Sequence, residues 1–234
     1  MTFGTLDVAV IDPHVRDTQY IYDEIFVAGI YRHPHMKIAP GATLMNVGAN
    51  IGLFDLWAHR EFAPRAIYAY EASPQTFRYL QDNVGRLVDP AITTVHTVNR
   101  AVASVAGQTL TLHQSPLVSG ISTLLDVAQV PWVKQLTESR EIVTHEVKTT
   151  TVSHEIAAHH IARIDLVKID VEGYFMEVLR GIKPTDFAKI QNFVIEVDYA
   201  KEAGADAPDV ARLLEGHGFK TEFREDLTFY AWRG

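Results

Sequence analysis

Acidic residues recur where apolar runs break off. Glu71 follows AIYAY (66–70), Asp170 and Glu172 follow IDLVKI (164–169), and Glu196 and Asp198 end FVIEVD (193–198). Asn46 stands just ahead of the glycines of LMNVGANIG (44–52). If these runs are strands of one parallel sheet, the side chains gather beyond its carboxyl edge, where ligands of such sheets bind. A rim of this kind favours a cationic ligand group. Like-charge repulsion there can raise one member's pKa until it serves as a proton acceptor. Asp170 is the first candidate for that base, with Glu172 and Glu196 next. The same oxygens, those of Asp170, Glu196 and Asp198, could instead hold a divalent cation. A plainer alternative has Asp170 and Glu172 cap the helix that follows them.

Gly48, Ala49, Asn50 and Gly52 form a glycine-bearing turn between an apolar run and a helix, which places backbone N–H groups beside the sheet. The spacing is not the full G-x-G-x-x-G fingerprint, and no lysine follows to make a phosphate-binding loop. Glu71 lies about twenty residues further on, where an acid can accept from both ribose hydroxyls of an adenosine. That placement serves NAD or S-adenosylmethionine equally and argues against NADP. His33 and His35, on alternate positions of an extended stretch, are outside candidates for a base or substrate contact. There is no H-E-x-x-H pattern, and Ser119, Ser122 and Ser153 lack a G-x-S-x-G elbow.

The elements that must position these residues follow an α/β rhythm. Runs at 43–47, 66–70, 92–98, 146–152, 164–169, 193–197, 219–223 and 228–232 read as strands, the last two as an antiparallel pair. Helices are expected at 53–60, at 75–84 behind Pro74, at 153–160 capped by Ser153, at 174–180 ended by a left-handed Gly181, and at 207–216. Residues 101–113 read as a small hairpin turning at 106–108, and 20–30 as either a short helix or a strand. The expected fold is a doubly wound α/β sheet of seven core strands with helices on both faces, in a single domain spanning 1–234. Residues 1–40 would form a cover across the front of the sheet. Residues 114–140, with Leu124, Leu125 and Trp132, would form a lid or substrate-facing insertion.

With 234 residues, 47% hydrophobic and 21% charged, the chain is composed like an ordinary globular protein. Twenty-one basic against 29 acidic residues give a net charge of -8, and no basic stripe marks a nucleic-acid partner. No apolar run reaches the roughly eighteen residues of a membrane span. No secretion signal is evident, and with no cysteine there is neither a disulfide nor a thiolate nucleophile. A cytoplasmic location fits these features. Oligomeric state is left open.

Four stretches together, LMNVGANIGLF (44–54), IYAYEASPQTFRYLQDNV (67–84), IDLVKIDVEGYFMEVLRGI (164–182) and FVIEVD (193–198), resemble the FkbM family of S-adenosylmethionine-dependent methyltransferases. The resemblance implies a class I methyltransferase sheet, Rossmann-like and mostly parallel with an antiparallel last strand. It also implies O-methylation of a small-molecule hydroxyl on a sugar, polyketide or other secondary metabolite. By the same resemblance Gly48, Ala49, Asn50 and Gly52 are the cofactor turn, and Glu71 is the ribose acid. Asp170 and Glu172 are the acidic pair after the fourth strand and Glu196 the acid after the fifth, while Glu24 and Tyr31 match an upstream pair near the cofactor. Two departures stand out. Asn46 occupies a position usually held by Asp, so its contact to the methionine ammonium would be neutral. Ala72 replaces the usual Pro. An NAD-dependent oxidoreductase, which would account for the turn and Glu71, and a non-catalytic ligand-binding domain are the alternatives. A Tyr-x-x-x-Lys pair for the former is not recognisable.

Overall fold

The structure, a computed structural model, describes residues 15–115, 122–125 and 142–234. Helix α1 (Val15–Tyr22) runs into one wide π-helical turn (Asp23–Ala28) that ends at Gly29, so the 20–30 stretch is helical. Then follow β1 (Thr43–Val47), α2 (Leu53–Phe62), β2 (Ala66–Tyr70), α3 (Pro74–Leu87), β3 (Thr94–Val98), β4 (Ala101–Val102), β5 (Thr109–Gln114), β6 (Ser122–Thr123) and β7 (Val143–Thr150). The remainder is α4 (Val152–Ala158), β8 (Leu166–Ile169), α5 (Phe175–Arg180), α6 (Pro184–Phe187), β9 (Asn192–Glu196), α7 (Ala200–Ala203), α8 (Ala207–Gly216), β10 (Lys220–Phe223) and β11 (Thr228–Trp232).

Seven strands form one sheet in the order β10-β11-β9-β8-β1-β2-β3. β1, β2, β3, β8 and β9 pair in parallel, and β11 runs antiparallel to both β9 and β10. This is the doubly wound sheet expected, with the last strand reversed. Its central strands read as apolar runs because both faces are covered. Successive residues split between two apolar clusters: Leu44, Leu166, Val194 and Tyr230 enter one, and Met45, Val167, Phe193 and Phe229 the other. Each such side chain contributes about 1.5–3 kcal/mol by leaving water. The parallel strands thus all deliver their carboxyl ends to one edge, and the reversed β11 brings Thr228 beside Glu196 there.

Several local expectations are corrected. Residues 101–113 do not form a hairpin. β4 pairs in parallel with β7 and β5 pairs antiparallel with it, so β7 lies between them in a second sheet ordered β4-β7-β5-β6. The turn at Gly107 is real, but its N–H donates to Thr149 O, on β7, rather than closing a two-strand loop. α4 is capped by Thr151, whose hydroxyl accepts from His154 N, and not by Ser153. Gly181 ends α5 in an ordinary right-handed conformation (φ -75). It is glycine for a different reason: a Cβ there would stand 2.2 Å from the carbonyl oxygen of Ala103. α3 begins one residue earlier than expected, at Pro74, with Ser73 accepting from Thr76 N. Of the expected 114–140 lid, only Gln114, Ser115 and 122–125 are among the described residues; the rest lies outside them. No helix among the described residues is long and apolar enough to cross a membrane.

The two glycines of opposite setting give a paired test. Gly181→Ala drives a methyl into backbone and should cost about 1–3 kcal/mol. Gly85→Ala, inside α3 with nothing within 4 Å, should instead add about 0.5–1 kcal/mol. Urea unfolding midpoints of both variants against wild type measure this; equal midpoints would refute the packing account.

Candidate active site

The turn after β1 is shaped by one collision. Gly48 has φ +78, and a Cβ on it would lie 1.7 Å from the carbonyl oxygen of Asp170. Only glycine lets the two chains pass. The turn then spends its N–H groups inside the protein. Those of Gly48 and Ala49 both donate to Tyr70 O, at 3.0 and 2.9 Å, that of Gly52 to Ala49 O, and that of Asn50 to Glu71 Oε2 at 2.9 Å. The expectation of free N–H groups is therefore corrected for these four residues, which leaves the turn fewer donors than a pyrophosphate site uses.

Glu71, at the end of β2, is buried and accepts from Asn50 N through one oxygen and from Ser73 N (2.8 Å) through the other. A carboxylate oxygen has two acceptor sites, so each keeps one lone pair for a ligand hydroxyl. Burial pushes the Glu71 carboxyl up to about 6, against the pull of these N–H groups and of Lys168. Lys168, central in β8, is itself buried. Its Nζ donates to Gly48 O at 2.7 Å, lies 3.0 Å from Asp170 Oδ2, and stands 5.9 Å from the centre of the Tyr31 ring.

Beyond β8 and β9 the carboxyl groups pair. Glu196 is pushed up to about 11, first by the charge of Asp170, then by burial and by its hydrogen bond to Asp170. The shared contact and burial thus favour the protonated form of Glu196. Glu172, in a left-handed conformation (φ 51), is raised well above the carboxylate range by burial and by the charges of Asp198 and Asp170. Asp198 is pushed up to about 7 by burial and Asp170, although it accepts from Gly173 N at 2.8 Å.

These groups open onto a cavity of about 360 Å³. Tyr31, Gly48, Ala49, Asn50, Glu71, Ala72, Asp170, Glu172 and Glu196 all line it, as does Glu24 from the π-helical turn. Three charged members, Lys168, Arg100 and Asp226, went unsingled in the sequence. Lys168 had a signal, a lone cation inside an apolar strand; Arg100 and Asp226, on loops, had none. The remaining candidates lie elsewhere. Gly52 packs on Leu80, where a Cβ would approach within 2.9 Å. Asn46 is fully buried beneath the turn and gives its amide to Asp55 Oδ1 at 3.0 Å, so it is not at the cavity wall. Asp198 sits behind Glu172. His33 stacks on Tyr230 and meets Glu222 at 3.1 Å, and His35 stacks on Trp232. Because β11 is reversed, Trp232 lies beside Asn192 at the start of β9, and the two histidines follow it away from the carboxyl edge. Among the described residues no group of three or more His, Asp and Glu side chains could hold a metal ion. Asp170, Glu196 and Asp198 are engaged instead with Lys168, with neighbouring carboxyls and with the Gly173 N–H.

Residues 46–221 match the model of the methyltransferase FkbM domain. The chain belongs to the FkbM methyltransferase family. The 31-O-demethyl-FK506 methyltransferase FkbM of Streptomyces tacrolimicus is 31% identical over 230 residues, covering 91% of this chain and 86% of that one. Methyltransferase sdnD of Sordaria araneosa is 28% identical over 221 residues, covering 87% and 82%. Among solved structures, an O-methyltransferase family protein from Burkholderia thailandensis shares the fold, with a TM-score of 0.50 at 10% identity over 94% of this chain and 58% of that one.

FkbM methyltransferases depend on S-adenosylmethionine, and this cavity fits it. Gly48 keeps the turn thin, Glu71 retains lone pairs for a ribose diol, and the buried Oδ1 of Asn50 has no partner among the described residues. The acidic wall suits the donor's positive charge. In a calorimetric titration with S-adenosylhomocysteine, Glu71→Ala should lose about 1.5–3 kcal/mol of affinity, as for hydrogen bonds to a charged group. An unchanged dissociation constant in a folded variant would remove Glu71 from the ribose.

Beneath the turn, Asn46 Oδ1 and Asp55 Oδ2 are both buried without partners. Burial pushes the Asp55 carboxyl from 3.8 up to about 7. The folded protein therefore binds this proton more tightly than the unfolded chain, and its contribution to stability is lost as pH rises through that window. Asp55→Asn should gain on wild type in urea stability as pH rises from 3.8 to about 7. A constant difference across this range would show that Asp55 does not titrate there.

Proposed function

We propose that this FkbM methyltransferase is an O-methyltransferase acting on a hydroxyl of a small-molecule acceptor, a sugar, polyketide or other secondary metabolite. The observation that carries the reading is the Asp170–Glu196 pair, two carboxyls in hydrogen-bond contact at the cavity wall and next to the glycine turn, with Glu196 pushed up to about 11 by the charge of Asp170 and by burial. The Streptomyces relative, a 31-O-demethyl-FK506 methyltransferase, supports it.

When bound, S-adenosylmethionine supplies an electrophilic methyl group on a sulfonium. The protein's part is to align and to take up a proton. Asp170 accepts the proton of the acceptor hydroxyl as the new carbon–oxygen bond forms. Glu196, already protonated, cannot compete for it and spreads the negative charge of Asp170 through its hydrogen bond. Ala101, Val102 and Leu112 of the second sheet, together with Leu124, give the cavity an apolar side, which suits the hydrocarbon part of an acceptor and keeps water from the reacting oxygen. Holding both reactants in line supplies much of the rate.

Incubating the enzyme with methyl-labelled S-adenosylmethionine and a library of hydroxylated metabolites, then locating the label by mass spectrometry, tests the reaction class; label on nitrogen or carbon would overturn it. With the acceptor in hand, Asp170→Asn should lower single-turnover transfer by about 10²–10⁴-fold and change S-adenosylhomocysteine affinity much less. Near-normal transfer would remove Asp170 as the base. A chelator is expected to leave wild-type turnover unchanged.

A further inference from the structure

The mechanism above gives no work to the most unusual residue at the cavity. Lys168 is 3% exposed, in the middle of a strand whose other members are apolar. A buried ammonium is tolerated only when charge and hydrogen bonds compensate it. It has three donors. One reaches the carbonyl of Gly48 at 2.7 Å and another Asp170 Oδ2 at 3.0 Å, so one group bridges the cofactor turn and the acid pair.

We propose that Lys168 is a positioning residue for methyl transfer: its ammonium fastens the cofactor turn through Gly48 O and places the shared proton of the Asp170–Glu196 pair on Glu196, presenting Asp170 to the acceptor as the carboxylate. The second half rests on Asp170 as the base; the first stands without it. When two carboxyls share a proton, the surrounding field decides which keeps it. The field here is one-sided. Glu71 after β2, Asp55 on α2, Tyr31 and Glu24 from the N-terminal segment, and Glu172 and Asp198 beyond β8 and β9 all surround this pair and its lysine, and each is an acid or a phenol. Lys168 touches Asp170 and not Glu196, and this breaks the symmetry.

The carbonyl contact has a separate consequence. Gly48 is already pressed against Asp170 O. An ammonium drawing Gly48 O inward fixes the peptide plane of the turn, and so the direction in which Ala49 and Asn50 meet the ligand.

The test uses the full chain, with Lys168→Met as a variant of similar length and Lys168→Arg as the one that keeps the charge. Carbon-13 NMR of Asp and Glu side-chain carboxyls reports which member of the pair is protonated, with Asp170→Asn and Glu196→Gln assigning the two signals. Wild type at neutral pH should show an ionised Asp170 and a protonated Glu196. Lys168→Met should move the proton towards Asp170, and Lys168→Arg should restore much of the wild-type pattern. Calorimetry with S-adenosylhomocysteine should show affinity about ten- to a hundred-fold weaker in Lys168→Met, the scale of a lost charge-assisted hydrogen bond. Carboxyl signals unmoved in a folded Lys168→Met would overturn the proton assignment, and unchanged affinity would overturn the turn contact. Should Lys168→Met fail to fold, a protonated Asp170 in wild type overturns the proposal by itself. Turnover that survives Asp170→Asn defeats the base reading, while the NMR and calorimetric results still decide the role of Lys168.

Discussion

Two stretches of backbone meet where Gly48 passes the carbonyl of Asp170, with no room between them for a methyl group. Most of the site depends on that approach. It lets the turn after β1 lean over the end of β8, which brings Gly48 and the acid pair to one wall. The pairing of β1 with β8 sets the register, from Leu44 against Leu166 to Val47 against Ile169, and Asp170 N donates to Val47 O at 3.1 Å as the two strands end. A side chain at position 48 would have to push the strands apart or turn the peptide, and either change would separate the ligand-facing turn from the carboxyls.

That closeness creates an electrostatic problem. Six carboxyl side chains line the cavity, and all would repel one another if ionised together. The protein reduces the charge without giving up the groups. Glu196 is pushed up to about 11 and Glu172 well above the carboxylate range, each by a neighbouring carboxyl and by burial, which lowers the charge of the two carboxyl pairs below what their composition implies. Four N–H groups of the turn add no compensation, being directed to Tyr70 O, Ala49 O and Glu71. What remains is a moderately negative surface, matched to a ligand that carries positive charge but no phosphate.

The sequence revealed the parts that burial and strand ends govern. Strands covered on both faces must be continuous apolar runs, so β1, β2, β8 and β9 were legible, and the acids that close them could be placed at the sheet's carboxyl edge. Partner choice was not legible. β4 and β5 are adjacent along the chain and look like a hairpin, yet β7, some forty residues later, inserts between them, because pairing is decided by what the whole sheet buries. Gly181 does stop its helix, but in a right-handed conformation, and it is glycine because of a close contact. Asn46 sits one step before the glycines, where a ligand contact would be expected; in a strand, however, alternate side chains face opposite ways, and this one faces down to Asp55. His33 and His35 were misplaced because nothing local shows that the segment carrying them follows a reversed strand. Lys168 was the missed clue, since a cation in a fully buried strand requires a reason.

The segment after α1, part of the expected cover, and β11 are joined by a bond from the Tyr230 hydroxyl to the Ile30 carbonyl, and His33 meets Glu222 close by. These partners are separated by 200 and 189 positions along the chain. A contact of such range can form only after nearly everything between has found its place, since closing so long a loop early costs entropy with little return. On a ribosome the cover would therefore wait, its apolar residues exposed, until the final strand emerged. The wall that Glu24 and Tyr31 give to the cleft is in this sense the last piece of the binding site to be built. Methyl-donor binding should thus appear late in folding, as a step that reports the docking of this segment against β10 and β11 rather than the forming of the glycine turn itself.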